Sequence, residues 1–151
     1  MKIIFLDFNG VLDTYENIDE INLDNLKRLK HIINETNSKV VISSSLKKSY
    51  YYTGHLSKHL QNIIKILENT GIEVIGITPN SDTRENEIKL YLEKHPEIEN
   101  YCIIDDDYEM EQLKNNLIKL PSQMQVGQTG LDDYHMNMAI KILKRPPKYK
   151  N

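Results

Sequence analysis

The sequence predicts an α/β fold, in which a parallel sheet of about five strands carries helices on both faces. Two observations predict it. Short apolar runs closed by polar or turn-forming residues recur along the chain, which is typical of strands buried on both faces. Segments with apolar residues at helical spacing lie between these runs, and such alternation favours parallel pairing. A length of 151 residues suits a single domain, which we expect to cover residues 1–144.

The N-terminal part of the chain predicts the first strand and the first helix. Ile3 to Leu6 form an apolar run that ends at Asp7, where a glycine-containing turn begins. After a polar stretch, apolar residues recur at helical spacing from Leu23 to Ile33. Either Asn22 or Asp24 can cap this helix with a side-chain oxygen.

The middle of the chain predicts two more strands around a second helix. The strand Lys39 to Ile42 is closed by the serine run Ser43 to Ser45. The helix carries apolar residues between Leu56 and Leu67, and Gly71 lies where a glycine often ends a helix. Ile72 to Ile77 is the third predicted strand.

The next segment predicts a helix and the fourth strand. Asp82 with Glu85 resembles a capping box, and the helix that follows ends near His95. Tyr101 to Ile104 is the predicted strand, and three consecutive acids, Asp105 to Asp107, close it.

The C-terminal part has weaker signals. The apolar spacing from Met110 to Leu117 predicts a helix, and Met124 to Val126 predicts a short fifth strand. The last helix is predicted from Leu131 to Leu143. Residues 145–151 are basic and contain proline, so we expect a frayed tail.

Composition narrows the classes of protein. The net charge of −3 gives no support for broad nucleic-acid binding through overall charge, although a local basic patch is compatible with it. Cys102 lies in an apolar run as the only cysteine, which excludes a disulfide within the chain and favours a reduced thiol and a cytoplasmic location. No apolar run approaches the ~20 residues that span a bilayer, and the N-terminal run is too short for a signal peptide.

The polar residues that close the strands point to a metal site. Right-handed crossovers place the carboxyl ends of parallel strands on one side of the molecule, where ligands bind in open α/β sheets. Two acids at separate strand ends repel one another unless a cation lies between them, and carboxylate oxygens favour Mg²⁺. The residues expected at this edge are Asp7, Asn9, Ser43, Ser44, Asp105 and Asp106.

These residue types together suit phosphoryl transfer. A carboxylate such as Asp7 can attack phosphorus beside Mg²⁺ and form an aspartyl-phosphate. The Ser43 hydroxyl can donate to a phosphoryl oxygen, and Arg84, ahead of the fourth strand, can neutralise charge in the transition state. Lys47 and its neighbour Lys48 suit either a phosphate contact or a solvated pair of surface charges.

Four motifs resemble, in order, those of the haloacid dehalogenase-like phosphohydrolase superfamily. They are DFNGVL at 7–12, VVIS at 40–43, Arg84 ahead of its helix, and IIDDD at 103–107. The chain most resembles the small domains of the RNA-repair and polynucleotide 3′-phosphatase kind, whose closing helix is similar to residues 130–143. The resemblance implies a three-layer Rossmann-like domain and a Mg²⁺-dependent phosphatase.

By position, the resemblance implies a metal site. Asp7 would be the nucleophile and a metal ligand, and Asn9 would offer its backbone carbonyl. Asp106 would hold the metal directly or through water, with Asp105 in support.

The same resemblance implies a phosphate site. Ser43 would bind phosphate, together with the neighbouring Gly10 and Ser44. Arg84 would take the cationic role, and Lys89 is the alternative for it.

Position 9 departs from the family pattern. Phosphatases of this family have there an aspartate that protonates the leaving oxygen and then helps to activate water. Asparagine keeps the backbone carbonyl but exchanges no proton at neutral pH, and losing acid–base catalysis costs ~10²- to 10⁴-fold. The sequence is therefore compatible with an enzyme impaired at Asn9, with a naturally slow enzyme, or with a non-catalytic module that binds phosphate and metal.

The short connections after the first and second strands leave no room for a large cap domain. An open crevice suits a phosphate on a large substrate, and the resemblance suggests a 3′-phosphorylated nucleic acid end. A receiver-type signalling domain would need an acceptor aspartate after the third strand, where this chain has Thr78, Pro79 and Asn80.

Overall fold

A computed structural model describes residues 1–146 and contains one five-stranded, all-parallel sheet. Its strands are β1 (Lys2–Leu6), β2 (Lys39–Ile42), β3 (Val74–Ile77), β4 (Asn100–Asp105) and β5 (Leu117–Lys119). They lie in the order β3-β2-β1-β4-β5, so β1 occupies the centre. The α-helices are α1 (Leu23–Thr36), α2 (Lys48–Thr53), α3 (Lys58–Asn69), α4 (Arg84–Lys94) and α5 (Asp133–Lys144). Two 3₁₀ helices cover Ser45–Lys47 and Glu111–Asn116.

The alternation of side chains along β1 builds two apolar layers. Ile4 and Leu6 pack into a large core with residues of α1, α3 and α5, whereas Ile3 and Phe5 point to the opposite face. There they meet Ile88 and other apolar residues of α4. A strand buried on both faces requires an uninterrupted apolar run, which is why the segment lacks a polar alternation. The three-layer α/β architecture predicted from the sequence is confirmed.

The predicted fifth strand, Met124 to Val126, is wrong. The fifth strand is instead Leu117–Lys119, which pairs in parallel with the end of β4. The side chains of Met124 and Val126 are 73% and 77% exposed, which is incompatible with a strand in this sheet. The helix predicted across Met110 to Leu117 is a 3₁₀ helix that ends at Asn116, where the chain extends directly into β5.

Smaller boundaries also differ from the predictions. Strand β3 begins at Val74, two residues after the predicted Ile72. The N-cap of α4 is Thr83, whose side chain accepts a hydrogen bond from Asn86 N, and not Asp82. Asn22 caps α1, as one of the two predicted alternatives.

The buried cysteine agrees with the sequence, whereas the first residue of the predicted frayed tail is held by a hydrogen bond. Cys102 is a buried, free thiol on β4. Within residues 1–146, the structure has no helix that is long and apolar enough to cross a membrane. Of the predicted tail, residues 147–151 lie outside the described residues, while Arg145 donates a hydrogen bond to the carbonyl of Asn115.

Candidate active site

The carboxyl ends of the three central strands meet at one edge of the sheet. Strand β1 lies between β2 and β4, so residues that follow these strands are neighbours in space. The backbone continues the pairing past the strand ends, because Asp7 N donates to Ile104 O at 3.1 Å and Ser43 N donates to Leu6 O at 3.0 Å. This topology brings the first, second and fourth sequence motifs together.

Three carboxylates form a buried cluster at this edge. Asp7, Asp105 and Asp106 each offer an oxygen within 4.8 Å of the others, and all three residues are buried. Burial raises the pKa of Asp7 well above its usual value, and the Asp105 charge adds to the shift against the opposing effect of Arg84. Burial likewise raises the pKa of Asp105. Convergent, desolvated carboxylates of this kind fit a hard divalent cation, so the donor set suits Mg²⁺.

Arg84 enters the same crevice as the first residue of α4. Its guanidinium donates to Asp105 Oδ2 at 2.6 Å and to Ser45 Oγ at 3.0 Å, and its Nη1 lies 3.8 Å from Asp7 Oδ1. The ring of Tyr108 lies 4.7 Å from the guanidinium carbon. Arg84 is therefore a fixed positive charge beside the carboxylates. Its alternative from the sequence, Lys89, instead contacts the side chain of Gln112.

The serine run divides into different roles. The Oγ of Ser43 is fully buried and has no hydrogen-bond partner among the described residues, and Ser43, unlike Ser44 and Ser45, does not line the crevice. The Oγ of Ser44 caps the following 3₁₀ helix by accepting from Leu46 N, and Ser45 contacts Arg84. The sequence shows only three consecutive serines, so it could not indicate which of them caps the helix and which contacts Arg84.

Lys47 lies behind the crevice and not on its surface. Its side chain is fully buried, and its Nζ donates to Glu87 Oε1 at 2.7 Å. Burial lowers the pKa of Lys47, while Glu87 opposes the shift. Glu87 Oε2 also accepts from Ser81 N at 3.1 Å, which fixes the loop just before α4. The predicted phosphate contact of Lys47 thus competes with an existing ion pair.

Gly10 allows the loop after β1 to pass against Asp106. Its φ of +81° favours glycine, and a Cβ at this position would lie 2.2 Å from Asp106 Oδ2. Its N–H already donates to Asp13 Oδ1 at 2.6 Å. The carboxylate of Asp106 is held from the other side by Gln123 N, which donates to Oδ2 at 2.7 Å.

The side chain of Asn9 reaches out of the loop towards two acids. Its Nδ2 donates to Asp13 Oδ2 at 2.7 Å and to Asp19 Oδ1 at 2.8 Å. Asn9 also lines the open crevice that contains Asp7 and Asp106. The rim of this crevice is formed in part by Tyr108 and Met124.

A family model confirms the resemblance suggested by the motifs. Residues 3–135 match the model described as "HAD domain in Swiss Army Knife RNA repair proteins". The chain belongs to this HAD domain family. Searches of curated proteins and of solved structures each found no match.

In this HAD domain, residues of the first, third and fourth motifs line one crevice together with Ser44, which directly follows the second motif, whereas Ser43 itself does not line it. Asp7, Asn9, Ser44, Arg84 and Asp106 line it. Sequence reasoning missed several residues that complete the HAD crevice or support it. These are Asp13, Ser45, Glu87, Tyr108 and Gln123.

Only Ser45 gave a usable signal among these missed residues, because it continues the serine run after β2. The carboxylates of Asp13 and Glu87 and the backbone N–H of Gln123 act through partners that the spacing of the sequence does not reveal.

Proposed function

We propose that this HAD domain is a Mg²⁺-dependent phosphomonoester hydrolase that forms an aspartyl-phosphate at Asp7. The observation that carries the proposal is the convergence of three buried carboxylates with a fixed guanidinium, and the unpartnered hydroxyl of Ser43 at the end of the adjacent strand β2 supports it. Family membership supports the phosphohydrolase class. The buried free thiol of Cys102 is compatible with a cytoplasmic location for this activity.

The proposed metal ligands are the carboxylates of Asp7 and Asp106 and the backbone carbonyl of Asn9. Asp105 supports them through its bond to Arg84, which leaves it a poorer ligand than its neighbours. When bound, Mg²⁺ would neutralise phosphoryl and carboxylate charge in the crevice. Gly10 permits this arrangement, since a side chain there would occupy the position of the Asp106 carboxylate.

The proposed first step is attack by Asp7 on phosphorus. Asp7 Oδ1 accepts a hydrogen bond from Phe8 N at 2.9 Å, which orients the carboxylate and leaves Oδ2 for the new bond. The bond from phosphorus to the ester oxygen breaks, and that oxygen leaves with its electron pair and takes a proton from water, because Asn9 offers none. Ser43 Oγ donates to a phosphoryl oxygen, and Arg84 balances the developing negative charge. Water then cleaves the aspartyl-phosphate and regenerates Asp7.

The proposed chemistry is slow because Asn9 supplies no proton to the leaving oxygen. Its amide nitrogen already donates two hydrogen bonds and has no acidic proton at neutral pH. We expect Asn9→Asp to raise the rate on an aryl phosphate by ~10²- to 10⁴-fold. Equal rates for the two proteins would refute the role assigned to position 9.

The proposed substrate is a 3′-phosphorylated nucleic acid end, in agreement with the RNA-repair description of the family. The crevice is open, and Tyr108, which is 39% exposed, lies at its rim, where an aromatic ring can contact a nucleobase. Lys47, held by Glu87, would act by supporting the loop that carries Arg84.

The test compares wild-type protein with Asp7→Asn on RNA oligonucleotides that carry a 3′-phosphate, a 5′-phosphate or neither. We expect Mg²⁺-dependent phosphate release from the 3′-phosphate, a trapped phospho-protein in the wild type, and neither in Asp7→Asn. Asp24→Asn removes an exposed carboxylate on α1 that does not line the crevice, so it is the matched control and should retain activity. Mg²⁺-dependent binding of the 3′-phosphate with no release, even in Asn9→Asp, would favour the non-catalytic binding module.

A further inference from the structure

The carboxamide of Asn9 is held between two acidic side chains. Both protons of Nδ2 are used, one by Asp13 Oδ2 at 2.7 Å and one by Asp19 Oδ1 at 2.8 Å. Ionised carboxylates accept hydrogen bonds and do not donate them, so the group between them must be a donor. An amide satisfies both acids, whereas a carboxylate would bring three negative charges into contact.

The two acids connect the loop after β1 to the exposed segment of residues 16–20. Asp13 is fully buried and accepts from Gly10 N at 2.6 Å and from Asp19 N at 2.8 Å. Asp19 has a φ of +68°, an uncommon conformation for a residue other than glycine. In this conformation the side chain of Asp19 contacts Asn9, while its backbone N–H contacts Asp13.

The 16–20 segment has few other attachments. All five residues are exposed, and the backbone hydrogen bonds of Asn17 and Glu20 are local, to Thr14 and Asn17. Asp19 Oδ1 lies 3.9 Å from His59 Nε2, beyond hydrogen-bond distance. Two hydrogen bonds of Asp19 are consequently the main attachment of this segment to the loop after β1. Its side chain accepts from Asn9, and its backbone N–H donates to Asp13.

We infer that Asn9 is a positioning residue, which fastens the 16–20 segment to the loop that carries Asp7. Asn9, Asp13 and Asp19 form a matched set, so in Asn9→Asp the loss of this contact opposes the gain of the proposed acid–base group. Asp13 also accepts a hydrogen bond from Gly10 N. The same contacts therefore help to position the backbone at Gly10, which lies against Asp106. This role goes beyond the proposed hydrolysis and does not depend on it, because it is a contact within the protein itself.

The test measures hydrogen exchange at the backbone amide of residue 19 by NMR, relative to the intrinsic rate of each sequence and without Mg²⁺ or substrate. We expect Asn9→Asp to speed this exchange at least about ten-fold, because the charge-assisted bonds are replaced by repulsion. Asp19→Asn in the Asn9→Asp background returns a donor and should slow the exchange several-fold relative to Asn9→Asp alone. Asn9→Ala removes both bonds without adding charge, so it should also speed exchange.

Rescue must be specific for the pair. Asp19→Asn should not slow exchange in the Asn9→Ala background, because alanine offers no acceptor. Either of two results would overturn the inference. The amide could exchange in Asn9→Ala at the wild-type rate, or it could exchange in the double variant Asn9→Asp, Asp19→Asn as fast as in Asn9→Asp alone. Hydrolysis by the same proteins is measured separately. A protein with the expected exchange rates but no hydrolytic activity would count against the proposed function alone.

Discussion

Replacement of Gly10 by alanine tests the contact on which the carboxylate cluster depends. The new Cβ would lie 2.2 Å from Asp106 Oδ2 and 2.3 Å from Asp106 Cγ, distances that atoms in proteins do not tolerate. Asp106 cannot retreat freely, because Gln123 N holds the same oxygen at 2.7 Å. The substitution must therefore move the loop after β1, the Asp106 side chain, or both.

The magnitude follows from two separable costs. A non-glycine residue at positive φ costs about 1–2 kcal/mol, and forcing an extra methyl group into a packed site costs about 1–3 kcal/mol. Gly54 has a φ of +78° with no atom within 4 Å of its would-be Cβ, so Gly54→Ala incurs only the first cost. We expect Gly10→Ala to lower the free energy of unfolding by about 2–5 kcal/mol, against about 1–2 kcal/mol for Gly54→Ala.

The assays are urea unfolding and calorimetric titration with Mg²⁺. Gly54→Ala should bind Mg²⁺ as the wild type does, whereas Gly10→Ala should bind it at least about ten-fold more weakly, because one proposed ligand is displaced. Equal stability losses and equal Mg²⁺ affinities in the two variants would refute the reasoning. Gly10 would then be required only for its backbone conformation.

Three further outcomes are expected. Lys47→Met should lower the free energy of unfolding by about 3–5 kcal/mol in urea titrations, because the buried Glu87 carboxylate keeps only the more distant Arg84 Nε at 3.9 Å. Adding Glu87→Leu should recover part of the loss. Because burial raises the pKa of Asp7 in the folded protein, the stability linked to that carboxyl is complete below about pH 4 and is lost as the pH rises through the folded pKa. Without Mg²⁺, Asp7→Asn should therefore gain stability relative to the wild type as the pH rises above about 4, and a pH-independent difference would contradict the shift. Cys102 is fully buried and its pKa is raised by burial, so a thiol reagent should label it only at the rate of unfolding.

The sequence was most informative where an element is buried on both faces. Strands β1, β2 and β4 are predictable because their apolar runs end at polar residues that face the crevice. Strand β5 was not predictable, since its three residues follow a 3₁₀ helix whose apolar spacing resembles that of an α-helix. A short edge strand is defined by its pairing with β4, and pairing leaves no local pattern.

The residues of the candidate site show the same division. The positions of Asp7, Ser43, Arg84 and Asp106 follow from strand ends and from topology, both of which a sequence can indicate. The partner of Lys47 is 40 positions away in α4, so neither spacing nor charge pattern revealed that its ammonium is paired with Glu87. Distant ion pairs of this kind decide which cations remain available to a ligand.

The balance of charge in the crevice links the metal to the phosphate. The cluster has three carboxylates, and the described residues place one guanidinium, that of Arg84, in direct contact with it. Arg84 is already bonded to Asp105, and the ammonium of Lys47 is paired elsewhere. When the three carboxylates are ionised, a phosphate dianion would therefore meet net negative charge, unless a divalent cation occupied the cluster first. For the proposed site, we therefore expect the cation and the phosphate to bind more tightly together than either one alone.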